Sequence, residues 1–505
     1  MYPVSFRNFL RGSALALPVA LATALGATAL AHAKDNLVVG QNADLASLDP
    51  TELRMGTYVS THLLYNSLIR LDQDGKPQPE LAKSWTKSDD GKTLTLDLEQ
   101  NVKFHDGRKM TSKDVAFSLD YAKNPSVGAN ILPLAQMIEA IDTPDDNTVV
   151  LHLNGDSDAV FDLLDLAFVV DSQNPDKIKT GGNGTGPFKL ESYEPGQGAT
   201  FARNEDYWRK APELKQVELK IIPDPQSAVA ELQSGTVDFL PILSRESIEY
   251  LANSGIKTGV ASAEGRVLDV GINVKSAVFQ KPEVRKAISL AIDRERIAKD
   301  IVGPGAIPKC LPWAERSKKE TAGLEGSCKY DLAEAKALIE KAGAKGASVE
   351  LLAYSQAEPA LGGMAQILQS SFQEIGINAN ISEMSEAAFV ARFRKSNFEI
   401  TTHVYVRAGR SPSAILLSAV PFRSRKNVAG VESKAYQDDV GYVTTHSDSP
   451  ETEAAWKRID EFLLNENWVL PVSTLPVQWA SSPQLKDVHF NLDGMPIFEA
   501  ASFDQ

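Results

Sequence analysis

The stretch Val102–Ser118, VKFHDGRKMTSKDVAFS, contains a strand, a turn and a helix start in direct succession. Its first residues continue an alternating strand pattern, and His105-Asp106-Gly107 is typical of a turn. Thr111 followed by Asp114 resembles a capping box with Asp in place of Glu, which predicts that a helix begins there. We therefore expect a short strand that turns into a helix.

Further strand and helix signals lie on both sides of this stretch. Apolar residues alternate with polar ones over Leu94–Leu98 and over 149–153, as in half-buried strands. Helical patterns occupy 226–234, the residues after Pro282, and the segment between Asp331 and Gly343. Short strands alternate with helices along the chain, which predicts an α/β fold with several domains.

The N-terminus has the pattern of an export signal. Arg7 and Arg11 precede an almost entirely apolar stretch, 12–30, and Ala31-His32-Ala33 is a small-x-small cleavage sequence. We expect residues 1–33 to be a signal peptide cleaved after Ala33, which predicts a periplasmic protein. The alternative is an uncleaved membrane anchor.

The length and charge of the remaining chain narrow the class of protein. Its roughly 470 residues exceed the ~250–300 at which one hydrophobic core stops growing, so two or three domains are expected. An apolar run near Phe161 is broken by Asp162 and Asp165, which argues against a second membrane span. The formal net charge of −14 becomes two units more negative without Arg7 and Arg11, which argues against a nucleic-acid partner.

The chain has two cysteines, Cys310 and Cys328. Export exposes them to an oxidising compartment, so an intrachain disulfide is predicted. Closure of the intervening loop contributes about 3 kcal/mol in the loop-entropy treatment. A redox or metal pair is a weaker interpretation because the sequence has no C-x-x-C.

Motifs for catalysis are absent from the sequence. It has no G-x-S-x-G, no H-E-x-x-H and no G-x-x-x-x-G-K-[ST] motif. The histidines are scattered, without metal-ligand spacing. We therefore predict that the protein is not an enzyme and that it has no cofactor and no metal site.

A series of motifs in a fixed order resembles a known family. The chain is similar to the oligopeptide/dipeptide-binding periplasmic proteins of ABC transporters, solute-binding protein family 5, over essentially the whole mature chain. The matching segments are Leu81–Trp85, Ser88–Thr93, Val102–Gly107, Lys113–Ser118, Gly184–Phe188, Arg203–Trp208, Leu232–Gly235 with Val237-Asp238, and Val284–Arg294.

The resemblance implies the fold class, an α/β two-lobed periplasmic binding protein (type II-like) with an additional inserted domain. Domains I and III would close on a ligand like two jaws joined by hinge strands, with domain II outside the pocket. Most of the Val102–Ser118 stretch would then have a structural role in the inserted domain. The implied division is 34–70 domain I (first part), 71–180 domain II, 181–275 domain I (second part), 276–480 domain III and 481–505 domain I (C-terminal part).

One segment departs from the pattern of the peptide-binding relatives. In those relatives, a stretch reading roughly aromatic-x-x-Asp-x-x-Asp-Pro pairs its first Asp with the peptide amine. Thr401–Pro412 contains no acid, and Arg407 and Arg410 lie there, with Ser411 in place of the second Asp. Because guanidinium groups bind carboxylates and phosphates in bidentate fashion, we expect an anionic ligand group near these arginines. Alternatively, they are solvent-facing and pair with surface acids.

The same layout gives the other candidate ligand contacts. Tyr405 would stack on the ligand, whereas Trp313 either lines the cleft or packs under the disulfide loop. The full set beside the arginines is Asn42, Leu45 and Ser47 on the first loop, Asn273 on the strand leaving domain I, Trp313, His403 and Tyr405.

The predicted function is that of the substrate-binding component of an ABC importer. It would capture a peptide or peptide-sized solute between two lobes and deliver it to the membrane permease subunits, as a monomer. Two rival hypotheses stay open at this point. One is an exported hydrolase, and the other is a chemosensory receptor of the same fold that presents its ligand to a membrane partner.

Overall fold

A computed structural model describes residues 34–45, 47–53, 57–241, 243–314, 317, 328–356 and 358–504. The predicted signal peptide, 1–33, lies outside the described residues. The strands in the described part are β1 (Asn36–Gln41), β2 (Ile69–Leu71), β3 (Pro77–Pro79), β4 (Ala82–Lys87), β5 (Thr93–Leu98), β6 (Ile138–Asp145), β7 (Thr148–Leu153), β8 (Phe188–Glu194), β9 (Gly198–Arg203), β10 (Gln216–Ile221), β11 (Phe239–Pro241), β12 (Lys257–Ser262), β13 (Arg266–Ile272), β14 (Ser348–Ala353), β15 (Asn378–Glu383), β16 (Ile400–Val406), β17 (Val469–Thr474), β18 (Val477–Ser481), β19 (Leu485–Lys486), β20 (His489–Phe490), β21 (Pro496–Ile497) and β22 (Ser502–Phe503).

Helices connect these strands. Short 3-10 helices span Pro175–Thr180 and Val420–Phe422, and a π-helix spans Ile297–Val302. The α-helices are α1 (Tyr58–Leu64), α2 (Ser112–Lys123), α3 (Leu132–Ala135), α4 (Ala159–Leu166), α5 (Pro225–Ser234), α6 (Arg245–Asn253), α7 (Pro282–Leu290), α8 (Arg294–Arg296), α9 (Leu332–Ala342), α10 (Pro359–Glu374), α11 (Glu386–Arg394), α12 (Pro412–Ser418), α13 (Lys434–Val443) and α14 (Pro450–Glu466).

Three larger sheets organise the molecule. A seven-stranded mixed sheet has the order β12-β18-β11-β1-β10-β9-β8, with β1 parallel to β10 and β11. A five-stranded mixed sheet has the order β15-β14-β16-β13-β17, and an antiparallel four-stranded sheet has the order β4-β5-β7-β6. Parallel and antiparallel strands, together with the helices, thus build an α/β fold.

Hydrophobic cores mark two lobes, which contact each other where Ala414 of α12 packs into the core of the first lobe. One continuous core joins the seven-stranded and four-stranded sheets and includes Leu37, Leu96 and Phe201. We call this part the first lobe. Other cores, with residues such as Leu351 and Trp456, surround the five-stranded sheet and form the second lobe. A ligand that contacts both lobes would bind between them.

The chain crosses between the lobes at two points. Strand β12 pairs with β18 in the first lobe, and β13, which begins four residues after Ser262, pairs with β16 in the second. Strand β17 pairs with β13, and β18 follows it in the first lobe. The predicted limits of domain III, 276 and 480, therefore fall after β13 and at the end of β18. Each crossing is short: residues 263–265 connect β12 to β13, and residues 475–476 connect β17 to β18.

The motif at Val102–Ser118 forms the predicted turn and helix. Gly107 takes a φ of 92°, and the Thr111 N–H donates to Asp114 Oδ2 at 2.9 Å in a capping box that opens α2. Arg108 then bonds both Asp114 and Asp171. These contacts lie inside the first lobe and away from the cavity between the lobes, so this motif has a structural role.

The predicted disulfide is present. Cys310 and Cys328 are joined, with their Cα atoms 5.9 Å apart. The bond lies in the second lobe. It closes a loop of which residues 311–314 and 317 are described.

Candidate solute-binding cleft

The two lobes enclose a cavity of about 360 Å³. The first lobe contributes the turn between β2 and β3 and the start of α4, and the second lobe contributes residues 409–413 and the segment from α13 into α14. Beside the cavity, the Asp156 N–H of the first lobe donates to the Thr445 carbonyl of the second at 2.9 Å. Ligand pockets usually measure ~300–1,000 Å³, so the cavity is large enough for a small solute.

Arg410 forms the centre of the contact between the lobes. It comes from the second lobe, and its side chain is only 1% exposed. Its Nη2 donates to Asp165 Oδ2 and to Asp493 Oδ2, both at 2.7 Å, whereas Nη1 lies 3.5 Å from Asp162 Oδ1. Burial would lower the pKa of this guanidinium, but the attraction of Asp493 and Asp165 holds that pKa well above its ordinary value. Arg410 therefore stays charged.

The carboxylates around Arg410 outnumber it. Burial raises the pKa of Asp162 to about 6, against the opposing effects of Arg410 and of a hydrogen bond from Ser411. Burial raises the pKa of Asp165 as well. Asp162 Oδ1 and the Arg410 Nε and Nη1 atoms are buried without hydrogen-bond partners. The wall of the cavity thus contains an incompletely bonded acceptor and an incompletely bonded donor side by side.

Arg407 also reaches across to the first lobe. Its backbone is left-handed, with a φ of +65°, and its guanidinium donates to Tyr58 Oη and to the Leu53 carbonyl, both at 3.3 Å. Tyr58 in turn donates to Asp493 at 3.2 Å. Both arginines are buried and have protein acceptors, which rules against the alternative of solvent-facing arginines in this structure. The anionic ligand group expected beside them stays a prediction.

His403 and Tyr405 lie on β16 and pack within the second lobe. His403 Nδ1 lies 3.2 Å from Asp269 Oδ2, and its ring stacks on Phe393 with centroids 4.9 Å apart. The Tyr405 hydroxyl donates to the Pro312 carbonyl at 2.9 Å in a buried position. Neither residue lines the cavity, so the structure does not bring the expected ring of Tyr405 to a ligand.

Trp313 follows the second of its two interpretations and packs near the disulfide. Its indole N–H donates to Asp460 Oδ1 at 2.7 Å, and its ring meets Trp456 edge-on with centroids 5.4 Å apart. Trp456 itself reaches the wall of the cavity. Trp313 therefore packs against Trp456, a residue of the cavity wall, but does not itself line the cavity.

The burial of Asp460 predicts a pH-dependent stability, which the hydrogen bond from Trp313 opposes only in part. Burial raises the pKa of Asp460 to about 7, well above its value in the unfolded chain. Between these two pKa values the folded state binds more protons than the unfolded state, so stability falls as pH rises towards 7 and then levels off. We expect the free energy of unfolding to drop by about 2 kcal/mol from pH 5.5 to 8.5 through this group, and Asp460→Asn to remove that component. Urea titrations of both proteins at the two pH values measure the difference, and an unchanged pH dependence in the variant would contradict the assignment.

The first-loop candidates lie in the first lobe away from the cavity wall. Asn42 is exposed just after β1, and the carbonyl of the buried Leu45 accepts a bond from Tyr193 at 2.8 Å. Ser47 Oγ accepts from the Asp49 N–H at 3.1 Å. None of these three residues lines the cavity, so the structure does not bring them together with Arg410.

Asn273 lies far from the arginines. It follows β13 at the end opposite Arg266, which pairs with Val406 beside Arg407, so roughly 23 Å of strand separate the two ends. Its amide donates to the carbonyls of Ser396 and Phe398, both at 3.0 Å. The side chain thus joins two backbone segments of the second lobe.

Sequence reasoning missed the acids that surround Arg410. Asp162 and Asp165 lie three residues apart on α4, whose other residues are largely apolar, and this interruption was a usable signal for a buried polar site. Asp493 gave no such signal, because it lies in a loop between short strands. Among the described residues, no group of His, Cys, Asp and Glu is arranged to hold a metal ion, and no helix is long and apolar enough to cross a membrane.

Two lobes joined by paired crossover strands, with a cavity between them, define a periplasmic binding protein. Within this class, the chain belongs to the bacterial extracellular solute-binding proteins of family 5, whose middle-region model matches residues 76–420. It is 25% identical over 508 residues to the nickel-binding periplasmic protein of Escherichia coli (strain K12), covering 94% of this chain and 95% of that protein.

Solved structures share the fold. The periplasmic binding protein DppA from Helicobacter pylori in complex with the peptide STSA matches with a TM-score of 0.82 and 21% identity, over 94% of this chain and 99% of that chain. The binding protein AgaA from A. tumefaciens R10 in complex with agropinic acid matches with a TM-score of 0.79 and 24% identity, over 93% and 99% of the two chains.

These comparisons confirm the predicted family, the predicted fold class and the predicted function as the substrate-binding component of an ABC importer. The family consists of substrate-binding proteins, and the rival hypotheses of a hydrolase and a chemosensory receptor are not favoured.

Proposed function

We propose that this protein captures its solute in the 360 Å³ cavity, closes around it and releases it unchanged to the permease. The observation that carries the proposal is the position of Arg410, a second-lobe residue bonded to first-lobe carboxylates at the cavity wall. A solute that contacts both walls binds the closed form better than the open form and shifts the population by that difference. About 5.5 kcal/mol of differential affinity is enough to turn a 1:99 population into 99:1.

The proposed solute contacts are cavity residues from both lobes. Phe161 and Asp162 come from the first lobe, and Arg410, Ser411 and Trp456 come from the second. The other candidates from the sequence do not line the cavity and are proposed to support the lobes. The protein is further proposed to act as a monomer in the periplasm, after removal of residues 1–33.

The three-domain division is proposed with adjusted limits. Residues 34–70 and 71–180 keep their assignment to domains I and II. Because β13 pairs with β16 and β18 pairs with β11, the limits of domain III move to the connections after Ser262 and after Thr474. The cavity then lies where domains II and III face each other, whereas the resemblance implied a pocket between domains I and III with domain II outside it.

Closure on a solute without turnover tests the proposed function. A panel of peptides, glutathione-like conjugates, opine-like compounds, amines and organic anions is added to the mature protein, and unfolding is followed by differential scanning fluorimetry. A solute at 100 times its Kd is expected to stabilise the protein by about 2.7 kcal/mol. Small-angle scattering should then show a smaller radius of gyration, and mass spectrometry should recover the solute unchanged. A chemically altered solute, or a panel without any effect on unfolding or radius, would overturn the proposal.

A further inference from the structure

We propose that one end of the second lobe binds anionic phospholipid headgroups of the membrane that holds the permease. The surface consists of two basic segments, the end of α11 and the loop after the second 3-10 helix. We call its five cations the basic tip. They are Arg394, Lys395, Arg423, Arg425 and Lys426.

Asn273, at the end of β13, brings the two basic segments together. Its amide donates to the carbonyls of Ser396 and Phe398, both at 3.0 Å, just after α11. The next residue, Val274, donates its N–H to the Ala429 carbonyl at 2.8 Å, in the loop beyond the second 3-10 helix. Both segments of the basic tip are therefore tied to the same end of β13.

Hydrogen bonds fix the loop that holds three of the cations. The Asn427 amide donates to the Arg423 carbonyl at 3.0 Å and to the Pro421 carbonyl at 2.9 Å. Arg425 and Lys426 lie between these bonded residues and are exposed. The loop is thus a tight turn that presents its cations to the solvent.

The positive charges of the basic tip are not neutralised within the protein. Burial, together with the like charge of Arg394, lowers the pKa of Arg423. Arg423 Nη2 donates to the Ser418 carbonyl at 3.3 Å, whereas its buried Nε has no acceptor among the described residues. In the part of the chain that the structure describes, no cation of the basic tip forms an ion pair with a carboxylate. A chain with a formal net charge of −14 therefore carries a local patch of the opposite sign.

The acids that follow or precede these segments have other partners. Glu399 accepts the Ser276 hydroxyl at 2.9 Å and the Glu350 N–H at 2.8 Å. Glu432 lies 3.5 Å from Lys275 Nζ. Because these carboxylates are engaged elsewhere, the charge of the basic tip stays available to an external anion.

The chemistry of the basic tip fits a headgroup layer better than a protein surface. Clusters of about four to eight Lys and Arg attract anionic headgroups. Stable protein interfaces, in contrast, bury an apolar centre with aromatic residues. The large apolar side chains exposed in the described residues all lie outside the basic segments. They are Tyr250, Val260, Tyr330 and Val406.

The acidic remainder of the molecule restricts this binding to one orientation. Charges are screened beyond about 8 Å at physiological ionic strength, so headgroups at the basic tip are shielded from more distant acids. Asn273 marks the end of β13 opposite the crossing between the lobes. Since lobes joined by crossing strands part at the end away from them, binding there would keep the opening of the cleft near the membrane.

Vesicle sedimentation tests the proposal without any solute. The mature protein is mixed with vesicles of phosphatidylcholine and phosphatidylglycerol, and separately with vesicles of phosphatidylcholine alone. At about 50 mM NaCl we expect binding to the anionic vesicles only, and at about 300 mM NaCl this binding should weaken at least tenfold. Equal binding to both kinds of vesicle, or no binding to the anionic vesicles at low salt, overturns the inference.

Paired charge removals locate the binding surface. Arg394→Gln with Arg425→Gln is expected to weaken vesicle binding at least tenfold, since each Lys or Arg near an anionic surface contributes a factor of about five. Both side chains are exposed, and circular dichroism checks that the variant folds. The matched control is Lys336→Gln with Lys341→Gln, which removes two exposed charges of α9 in the same lobe and should leave binding within about twofold of wild type. An equal loss in the two double variants would show that net charge drives binding, and the inference fails.

An acidic surface of the permease is the competing partner. Permease in nanodiscs of phosphatidylcholine presents that surface without anionic lipid. If Arg394→Gln with Arg425→Gln abolishes binding to these nanodiscs, and anionic vesicles bind nothing, the basic tip belongs to the permease contact and the proposal is overturned. Solute capture is measured separately with the panel, and this double variant should keep wild-type affinity because neither residue lines the cavity.

Discussion

Replacing Arg410 by methionine is expected to lower the free energy of unfolding by about 3–5 kcal/mol, because it leaves buried carboxylates without their cation. Asp165 and Asp493 each lose a hydrogen bond of 2.7 Å, and Asp162 loses its nearest positive charge. Methionine fills a volume similar to that of arginine. The loss of stability would therefore come from the missing charge more than from altered packing. Urea unfolding at pH 7.5 measures the effect.

The pH dependence of this variant distinguishes charge from packing. The uncompensated carboxylates become neutral when protonated, so the defect should shrink as pH falls from 7.5 to 5. Arg458→Met is the control, since Arg458 forms an exposed ion pair with Asp439 and its loss should change stability by about 0–1 kcal/mol. A defect of the same size at both pH values, or no larger than that of the control, would contradict the role of Arg410 as the buried counterion.

Local elements were predictable because their signals are contiguous in sequence. The capping box at Thr111 opens α2, Asp331 opens α9, and Gly343 ends α9 in the left-handed conformation with a φ of 65°. The leucines of β5 alternate and are buried on one face. Each of these features depends on residues within a few positions of one another, and such spacing is visible without the fold.

The cleft was predictable only in part, because its charges come from distant segments. Arg410 bonds Asp165, which is 245 residues away, and Asp493, which is 83 residues away. The sequence identified the arginine but gave no way to pair it with these acids. Its guanidinium was therefore assigned to a ligand, whereas the first lobe already supplies its acceptors.

The roles of two aromatic residues could not be decided from the sequence for a related reason. Tyr405 and Trp313 have large rings, and a ring near a predicted cleft suggests a contact with the ligand. In the structure a carbonyl of Pro312 and a carboxylate of Asp460 accept their hydrogen bonds inside the second lobe. Trp456, which lines the cavity, follows the apolar spacing of α14 and could not be separated from ordinary core residues.

Gly155 lies against Thr445 of the other lobe, and a substitution at this glycine is expected to have a large effect on ligand binding. A Cβ atom at Gly155 would lie 2.5 Å from the Thr445 carbonyl oxygen and 2.7 Å from its Cα. The two residues belong to different lobes, beside the cavity, and the Asp156 N–H bonds the same carbonyl. A side chain at position 155 would hold the lobes apart without entering either hydrophobic core.

Gly155→Val is therefore expected to weaken solute binding about 100-fold while leaving the unfolding of the solute-free protein nearly unchanged. Forcing a side chain into a packed contact costs up to about 3 kcal/mol, and each 1.4 kcal/mol changes Kd tenfold. Only the closed form incurs this cost, because opening separates the two residues. Gly441→Val is the matched control, since a Cβ there has no atom within 4 Å and its affinity should stay at the wild-type value. Titration with the strongest solute of the panel, together with scattering of the bound state, measures both effects. Wild-type affinity in Gly155→Val would show that solute binding does not require this contact between the lobes.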